Sequence, residues 1–279
     1  MKRNKNFNNN KPIIYLIATP IGNLGEFSKR AIEVVEQADI VMAEDTRNTL
    51  SLLSKFNISK PCYSLREHNE KQMSAFVIEE VNKGKRIVYM SDAGYPAISD
   101  PGFILVQECL KNDINVSVIN GSSAFLTALV ASGLDTSHFY FHGFLPAKKG
   151  DAKKELEGLK NKEETLIFYE SPHRIKETLE LLYNSLGARE AVIARELTKI
   201  NEEYIYGTLE EFLEIDESTL KGEMVIIVEG NKIKEEIDMD EINETIALLK
   251  SKGLSNKDIV EIVSKIYKIN KNNISKILY

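Results

Sequence analysis

The sequence is poor in the features that mark zinc proteins, disulfide-rich proteins and membrane proteins. It has no tryptophan, and its two cysteines, Cys62 and Cys109, lie in unrelated stretches without a CxxC pair or a Cys/His cluster. No apolar run approaches the roughly 20 residues that span a bilayer. The Asn-rich N-terminus is not followed by an apolar segment, so it is not a secretory signal. We therefore expect a cytoplasmic protein with no metal site, no disulfide framework and no membrane-spanning segment.

Positive charge is scarce in the body of the chain and concentrated at its two ends. The net charge is −6, but residues 1–11 carry +4 and residues 250–279 carry +5, which leaves about −15 for the residues between them. Basic ends on an acidic body indicate a polyanionic partner. The alternative, that Lys- and Asn-rich ends are a compositional habit of the organism, stays open.

Short apolar runs alternate with amphipathic stretches from residue 12 onward, which predicts βαβ units and a mostly parallel sheet. Consecutive predicted strands at 191–195, 203–206 and 223–228 indicate a mixed sheet in the second half. After Gly230 a charged stretch leads to short amphipathic helices around Gly253, a helix-turn-helix pattern. The fold class is therefore α/β, with two α/β domains plus a small C-terminal helical domain. The predicted divisions are a disordered basic arm (1–11), two α/β domains (12–133 and 134–230), a linker (231–240) and a helical tail (241–279).

Polar or glycine-rich loops follow four of the predicted strands in the first half. These loops are at 19–25, 44–47, 91–100 and 120–123. Because parallel strands end at the same edge of a sheet, the four loops should meet there. Ligands bind at this edge in open α/β sheets, so the convergence predicts a binding site.

The loop after the predicted strand Ile87–Met90 has the most distinctive chemistry. Its sequence, SDAGYPAISDPG at 91–102, has two aspartates, two serines and two glycines but no Lys or Arg. It matches neither a phosphate-binding P-loop nor a GxGxxG turn. This chemistry favours a ligand with hydroxyls and positive charge over a polyphosphate, although an ordinary tight connection is the alternative. Asp100 suits the N-cap of the next helix and Pro101 its first position.

Seven motifs then identify a family by their order and spacing. They are TPIGNLGE at 19–26, AEDTR at 43–47, EHNE at 67–70, SDAGYPAISDPG at 91–102, GFLP at 143–146, FYESPHR at 168–174 and RELTK at 195–199. Together they resemble the ribosomal RNA small subunit methyltransferase I family, within the tetrapyrrole methylase superfamily. The resemblance covers about residues 13–230, and the C-terminal helices look like that family's small tail domain.

The resemblance implies an enzyme that uses S-adenosylmethionine to methylate the ribose 2′-oxygen of a cytidine in small-subunit ribosomal RNA. The substrate would be the RNA or the assembled small subunit, and the enzyme a homodimer with the cofactor between its two α/β domains. Carried over to this sequence, the cofactor-binding residues are Pro20, Ser91, Asp92, Ala93, Gly94, Ile98, Ser99, Ser123, Ala124, Tyr169, Leu197 and Met224. For Ile98, Leu197 and Met224, plain core packing is the alternative.

Two departures from the family pattern bear on the cofactor site. Tyr95 stands where the family has Thr in SDAGTP. Asn120 and Ser122 stand where the family has the two prolines of PGPSA. The loss of both prolines predicts a less rigid turn and weaker, though not abolished, cofactor binding.

A ribose hydroxyl is a weak nucleophile, so a nearby base would help the reaction. Our candidates, in order, are Asp45, Glu170 and His68. Each has a structural alternative, because acids such as Glu44 and Glu170 could form ion pairs with Arg47 and Arg174 at helix starts, and a lone His is often structural.

Candidate RNA contacts are the cations in an otherwise acidic body, since they could hold phosphates. These are Arg47, His173, Arg174, Arg195 and Lys199. Phe144 and Tyr169 could stack on a base, or could simply belong to the core.

Two other functions compete with RNA methylation. One is a tetrapyrrole C-methyltransferase, for which a basic arm and tail are unnecessary. The other is a catalytically degenerate cofactor-binding module associated with the ribosome, which the departures at 95 and 120–122 prompt. The polar motifs kept at the other loops argue against the second alternative.

Overall fold

A computed structural model describes residues 3, 5–6, 11–232, 239–267 and 269–278. The chain divides into two compact units, Met1–Asn231 and Lys232–Tyr279. The predicted disorder of residues 1–11 and the linker at 231–240 fall largely outside the described residues. The predicted boundary near 133 lies between the two sheets of the first unit and stays a prediction.

The first unit begins with a parallel sheet covered on both faces. Its strands are β1 (Ile13–Ile17), β2 (Ile40–Ala43), β3 (Cys62–Ser64), β4 (Ile87–Met90) and β5 (Asn115–Ile119), in the order β3-β2-β4-β1-β5. Every strand pair in it is parallel. The intervening helices are α1 (Lys29–Glu36), α2 (Thr46–Ser54), α3 (Glu70–Asn82) and α4 (Phe103–Lys111). Helices α3 and α4 pack on one face through Val77 and Leu105, and α1 and α2 pack on the other through Val35 and Leu53.

The second sheet is mixed, as predicted. Helix α5 (Ala124–Ala131) follows β5, and the later elements are β6 (Phe139–Phe144), α6 (Lys149–Leu159), β7 (Thr165–Glu170), α7 (Ile175–Leu186), β8 (Glu190–Arg195), β9 (Glu203–Thr208) and β10 (Met224–Val228). The strand order is β6-β7-β10-β8-β9, with β6 and β7 parallel and the other pairs antiparallel.

Helix α5 joins the two sheets. It leaves the parallel sheet at residues 120–123 but packs on the mixed sheet, where Ala128 and Leu129 contact Ile167 and Val225 in one apolar cluster. Helices α6 and α7 cover the opposite face of that sheet. The loops that end the parallel strands are therefore brought against the mixed sheet.

The described residues of the second unit form three helices, as the amphipathic pattern predicts. They are α8 (Met239–Ser251), α9 (Asn256–Ile266) and α10 (Lys271–Leu278). Their apolar faces share a small core of Ile242, Ile259 and Ile274. Gly253 turns the chain with φ +78, and Ser255 caps α9 by accepting from the amide of Asp258. A helix-turn-helix role in RNA contact stays a prediction.

Two predicted helix starts are wrong. Helix α4 begins at Phe103 rather than Pro101, with Gly102 at φ +134 as its N-cap. The amides of Gly102 and Leu105 donate to the carboxylate of Glu70 on α3, at 2.9 and 3.0 Å, so a distant acid replaces Asp100 as the cap. A cap from another helix leaves no local sequence signal.

The second wrong start is that of α7, for which the sequence Glu170-Ser171-Pro172 predicts Ser171 as the N-cap and Pro172 as the first helical residue. The helix begins at Ile175, with Arg174 as its N-cap, after a turn in which the Arg174 amide donates to the Ser171 carbonyl at 3.1 Å. The Glu170 carboxylate accepts from the Ser171 amide at 2.7 Å and from the Thr178 hydroxyl at 2.6 Å, which fixes this turn.

Candidate active site

The loops at the ends of the parallel strands meet, as predicted. Thr19 and Gly94 exchange both backbone hydrogen bonds, at 2.9 and 3.1 Å, and so join the loops after β1 and β4. The Asp92 carboxylate accepts from the amide of Asp45, at 3.1 Å, and the Asp92 amide donates to Glu44, at 3.3 Å. These contacts join the loops after β2 and β4.

A first cavity of about 270 Å³ lies where these loops face the mixed sheet. Its lining is Ile21, Ala93, Gly94, Tyr95, Ile98, Ser99, Asp100, Ser123, Ala124, Phe125, Phe144, Tyr169, Glu170, Ser171, Pro172, Leu197, Glu223, Met224 and Val225. Among these described residues there are three carboxylates and no Lys or Arg. The cavity is mainly apolar and suits a ligand that carries positive charge and no phosphate.

Nine of the twelve predicted cofactor residues line this first cavity. They are Ala93, Gly94, Ile98, Ser99, Ser123, Ala124, Tyr169, Leu197 and Met224. Leu197 and Met224 are also buried in the core, so the core-packing alternative holds for them, and their contact with a cofactor stays a prediction. Pro20, Ser91 and Asp92 are not in the lining. Ser91 is buried, and its hydroxyl donates to the Gly94 carbonyl at 3.1 Å, which shapes the loop.

The backbone around the first cavity is strained. Ala97 and Ser99 both have left-handed conformations, with φ of 67 and 62. Glu196 and Thr198, with φ of 49 and 67, flank the lining residue Leu197. Non-glycine residues in this region cost energy and concentrate at functional sites. The two segments are those of the predicted motifs at 91–102 and 195–199.

Tyr95 and Ser122, two of the residues that depart from the family pattern, form side-chain hydrogen bonds. The Tyr95 hydroxyl accepts from the Gly121 amide at 3.3 Å, which ties the loop after β4 to the turn after β5. Ser122 donates its hydroxyl to the carboxylate of Glu26. Gly121 itself leaves no room for a side chain, since a Cβ there would lie 2.8 Å from the Ala18 carbonyl oxygen. The turn without prolines is thus held by side-chain contacts that the sequence pattern did not reveal.

A second, larger cavity of about 670 Å³ adjoins the first. Its lining is Glu44, Asp45, Arg47, Arg66, Glu67, His68, Glu70, Asp92, Ser99, Asp100, Pro101 and Phe103. Six of these twelve residues are acids. Ser99 and Asp100 line both cavities and therefore form the wall between them.

The carboxyl group of Asp100, which lines both cavities, has an unusual pKa. Burial, followed by repulsion from the charges of Glu44 and Asp92, raises the pKa of Asp100 to about 7. Burial also raises the pKa of Glu44. Glu44 and Asp100 thus hold protons more tightly than ordinary carboxyl groups do.

Asp45, the first predicted base, is held in a structural role. Its carboxylate caps α2 by accepting from the Arg47 amide at 2.9 Å, and it pairs with the side chains of Arg47 at 2.5 Å and Arg66 at 3.5 Å. The hydrogen bonds from Arg47 hold the pKa of Asp45 well below its usual range. A carboxylate this acidic is a weak base.

Glu170 and His68 lie in different cavities. Glu170, which is 2% exposed, lines the first cavity and is already engaged by Ser171 and Thr178, with the Arg174 guanidinium at 3.7 Å. His68 lines the second cavity, and this residue is exposed. The structure therefore does not bring the three predicted bases together.

Three of the five predicted RNA-binding cations are half-buried and have partners within the chain. Arg174 donates to the carbonyls of Leu145 and Pro146, at 3.0 and 3.2 Å. Arg195 pairs with Glu203 at 2.5 Å, and Lys199 pairs with Glu196 and Glu223 at 2.9 and 3.0 Å. The other two, Arg47 and His173, have exposed side chains, and that of Arg47 is 85% exposed although it contacts Asp45.

Sequence reasoning missed several lining residues of the first cavity. They include Ile21, Tyr95, Asp100, Phe125 and Glu223. For Asp100 the available signal was its place in the acidic loop, which we interpreted as a helix cap. Phe125 gave no local signal, because only the packing of α5 on the mixed sheet brings it to the cavity.

Two further observations concern the described parts of the chain. No group of three or more His, Cys, Asp or Glu side chains in them is arranged to hold a metal ion. In the same residues, no helix has the length and apolar character that crossing a membrane requires.

Comparison with known proteins decides the family. The family model described as Tetrapyrrole (Corrin/Porphyrin) Methylases matches residues 13–213. A ribosomal RNA small subunit methyltransferase I from Pasteurella multocida is 45% identical over 273 residues, which cover 95% of this chain and 96% of that protein. The chain belongs to this methyltransferase family. Proteins of the same name from Halalkalibacterium halodurans (49% identity; 81% of this chain, 78% of that protein) and Bacillus subtilis (41%; 94% and 92%) agree with the assignment.

Two solved structures of other proteins share the fold of this chain. A uroporphyrin-III C-methyltransferase from Thermus thermophilus, in complex with S-adenyl homocysteine, superposes with a TM-score of 0.54 at 17% identity, covering 77% of this chain and 96% of that one. A diphthine synthase superposes with a TM-score of 0.60 at 15% identity, covering 78% and 89%. The predicted fold class is confirmed.

Proposed function

We propose that this protein transfers a methyl group from S-adenosylmethionine to the ribose 2′-oxygen of a cytidine in small-subunit ribosomal RNA. The family of the chain supports the reaction class, since its relatives at 41–49% identity are ribosomal RNA small subunit methyltransferases. The observation that carries the proposal is the pair of adjoining cavities that share a wall at Ser99 and Asp100. Such a pair can place a donor beside an acceptor.

The first cavity fits the methyl donor. S-adenosylmethionine supplies an activated methyl group on a positively charged sulfur, so the protein needs mainly to orient the reactants and exclude water. Ile98, Leu197 and Met224 would contact the apolar parts of the cofactor. Three carboxylates and no Lys or Arg among the described lining residues match its positive charge.

The second cavity suits a nucleoside better than an acidic porphyrinoid. Its six acids would repel a ligand that carries several carboxylates. Arg47 and Arg66, the two arginines of its lining, could meet a phosphate at the mouth. Arg47 and His173, of the predicted RNA contacts, remain exposed enough to touch an external strand.

The basic C-terminal end of the chain supports RNA binding as a second contribution. Residues 250–279 carry +5, and a basic stretch of this kind attracts RNA without sequence preference. The proposed partner is the RNA itself or the assembled small subunit, and the proposed site of action is the cytoplasm.

We also propose a homodimer, and an exposed apolar surface on α5 and β9 supports it. Val130 is 78% exposed and Tyr206 is 59% exposed, and the two elements are joined where the Tyr206 hydroxyl donates to the Ala131 carbonyl at 2.9 Å. Sedimentation of Val130→Glu beside the wild type tests it. A wild-type monomer would contradict the proposal.

The function is tested by methyl transfer from labelled S-adenosylmethionine to purified small subunits from a strain that lacks this gene. Label in the ribosomal RNA that protects the neighbouring phosphodiester from alkaline cleavage is the expected result. Porphyrinoids are tested in parallel. The negative control is Ala124→Phe. Its larger side chain should fill the first cavity and abolish both cofactor binding and methyl transfer.

Other outcomes would contradict the proposal in different ways. Label only in the porphyrinoid would make the protein a tetrapyrrole C-methyltransferase. Measurable cofactor binding without transfer to any acceptor would favour the degenerate module.

A further inference from the structure

The turns that follow β6 and β7 carry a local concentration of positive charge on the otherwise acidic α/β unit. Residues 145–154 contain four lysines and one acid, and residues 171–176 contain one arginine, one lysine and no acid. The four lysines are all exposed, and they are Lys148, Lys149, Lys153 and Lys154. Clustered cations of this kind attract a polyanion.

The structure joins the two turns into one surface. Strands β6 and β7 are parallel neighbours, with Phe144 opposite Tyr169, so both turns leave the sheet at the same edge. The Arg174 guanidinium of the second turn donates to the carbonyls of Leu145 and Pro146 in the first turn, at 3.0 and 3.2 Å. The cations of residues 144–154 and 171–176 therefore share one surface, the β6/β7 surface.

The stability of the fold does not account for these lysines. Lys148 is the N-cap of α6 but makes no capping hydrogen bond, and the helix dipole disfavours positive charge at this end of a helix. The side chains of Lys148, Lys153 and Lys154 form no ion pair with a described residue. Lys149, in contrast, pairs with Glu177 on α7 at 3.1 Å. A role in binding explains the three unpaired lysines better than a role in folding does.

The β6/β7 surface borders the first cavity. Phe144, Ser171 and Pro172, which belong to the same two turns, line that cavity. Phe144 is also 52% exposed although it is large and apolar. Proteins bind single-stranded nucleic acid with cations along the phosphates and aromatic side chains that stack on the bases. This surface offers both groups beside the place where the methyl donor would bind.

We propose that the β6/β7 surface holds the RNA strand next to the target nucleotide, with its lysines on the phosphates and Phe144 against a base. This inference rests on the function proposed above and names where the RNA contacts the α/β unit. The strand would lie across the mouth of the first cavity and so keep the target ribose beside the methyl donor. The bound RNA would be single-stranded, because the base faces of a duplex are stacked on one another and out of reach of an aromatic ring.

The test compares the double variant Lys148→Gln and Lys153→Gln with the wild type in binding to purified small subunits over a range of salt concentrations. Each phosphate contact on a single strand contributes about 0.7 to the slope of log affinity against log salt, so the slope should become shallower by about 1.4. At about 0.1 M salt the affinity should fall roughly 10- to 30-fold. The KM for the subunit should rise accordingly, whereas cofactor affinity and the melting temperature should stay at the wild-type values.

Three further variants separate charge, position and stacking. The double variant Lys148→Arg and Lys153→Arg keeps the charge and should keep the wild-type slope. Lys55→Gln with Lys85→Gln removes the same charge from exposed lysines at the opposite edge, where the parallel strands begin, and should bind as the wild type does. Phe144→Ala should weaken binding at least about fivefold without changing the slope, because it removes a stacking partner and no charge.

The outcomes keep the inference and the proposed function apart. Wild-type affinity and slope in the variant Lys148→Gln and Lys153→Gln would overturn the β6/β7 surface and leave the proposed function standing. An equal loss in the variant Lys55→Gln and Lys85→Gln would also overturn it, since net charge alone would then explain the effect. Weaker binding to the subunit but not to a single-stranded RNA oligonucleotide would contradict the inference by making the partner a ribosomal protein. A wild type that binds the subunit but transfers no methyl group to it would overturn the proposed function instead.

Discussion

Single residues at the loop ends decide the shape of the site in this protein. Gly121 is the clearest case, since an added Cβ would lie 2.8 Å from the Ala18 carbonyl oxygen and 3.0 Å from the Ala18 Cβ. Both neighbours belong to the end of β1 and cannot move without disturbing the parallel sheet. The position therefore requires glycine for space.

We expect Gly121→Ala to lower the free energy of unfolding by about 1–3 kcal/mol, as overpacking does, and to weaken cofactor binding. Thermal denaturation and a binding isotherm measure the two effects. Gly158→Ala is the control, because its Cβ would meet no atom within 4 Å in helix α6 and alanine favours the helix. If Gly121→Ala were as stable as the wild type, the backbone at Ala18 would have to move easily to make room for the added Cβ.

Asp100 also predicts a dependence of stability on pH. Burial raises its pKa from 3.8 to about 7 in the folded protein, so the folded state binds the extra proton between these values. This acid therefore makes the wild type less stable as the pH rises from about 4 to 7. The Asp100→Asn variant lacks this penalty.

We expect Asp100→Asn to melt above the wild type at pH 8 and at the same temperature as the wild type near pH 4. Thermal melts at both pH values measure the difference, with Glu108→Gln as the matched surface control. A lower melting temperature for Asp100→Asn at pH 8 would mean that the charged carboxylate stabilises the fold.

At the scale of elements, acids from distant positions fix the helix starts around the site. Glu70 on α3 caps α4 through the amides of Gly102 and Leu105, and Glu170 at the end of β7 holds the turn before α7. Removing one partner of such a buried group leaves the others unsatisfied. Both acids belong to the polar motifs from which the sequence predicts a functional site, yet their contacts stabilise the fold.

We expect Glu170→Ala to lower the free energy of unfolding by about 2–4 kcal/mol, because the Ser171 amide, the Thr178 hydroxyl and the Arg174 guanidinium lose a buried partner. The turnover per folded molecule should stay within tenfold of the wild type. Glu180→Ala, which removes an exposed acid of helix α7, should change stability by less than about 0.5 kcal/mol. Full stability of Glu170→Ala with turnover lost would instead identify Glu170 as the base.

At the scale of the whole molecule, positive charge is concentrated at the C-terminal end of the helical unit, where residues 250–279 carry +5. The α/β unit carries the acidic cavities, whereas the helical unit has its own apolar core and the basic residues of the C-terminus. A division of this kind separates cofactor binding from RNA attraction. The two properties should therefore change independently.

We expect the double variant Lys252→Gln and Lys257→Gln to weaken binding to the small subunit and to reduce its dependence on salt, because fewer counterions are released. Both lysines are exposed near the Gly253 turn. Cofactor affinity, measured in parallel, should not change. Unaltered subunit binding at low and high salt would exclude this face of the helical unit from RNA contact.

Hydrophobic period and motif order, which are local properties of the chain, were enough to predict the fold class, the parallel and mixed sheets, the convergence of four loops and the family. Nine of the predicted cofactor residues also line one cavity, because the motifs fall at strand ends.

The roles of the individual acids could not be predicted from the sequence, because they depend on contacts that form on folding. Asp100 lost its predicted role as a cap because Glu70, 30 residues earlier in the sequence, supplies the carboxylate from another helix. Asp45 was ranked first as a base, but its contacts with Arg47 and Arg66 keep it ionised. Burial and neighbouring charge set the pKa of each acid, and both depend on residues that are brought together only by folding.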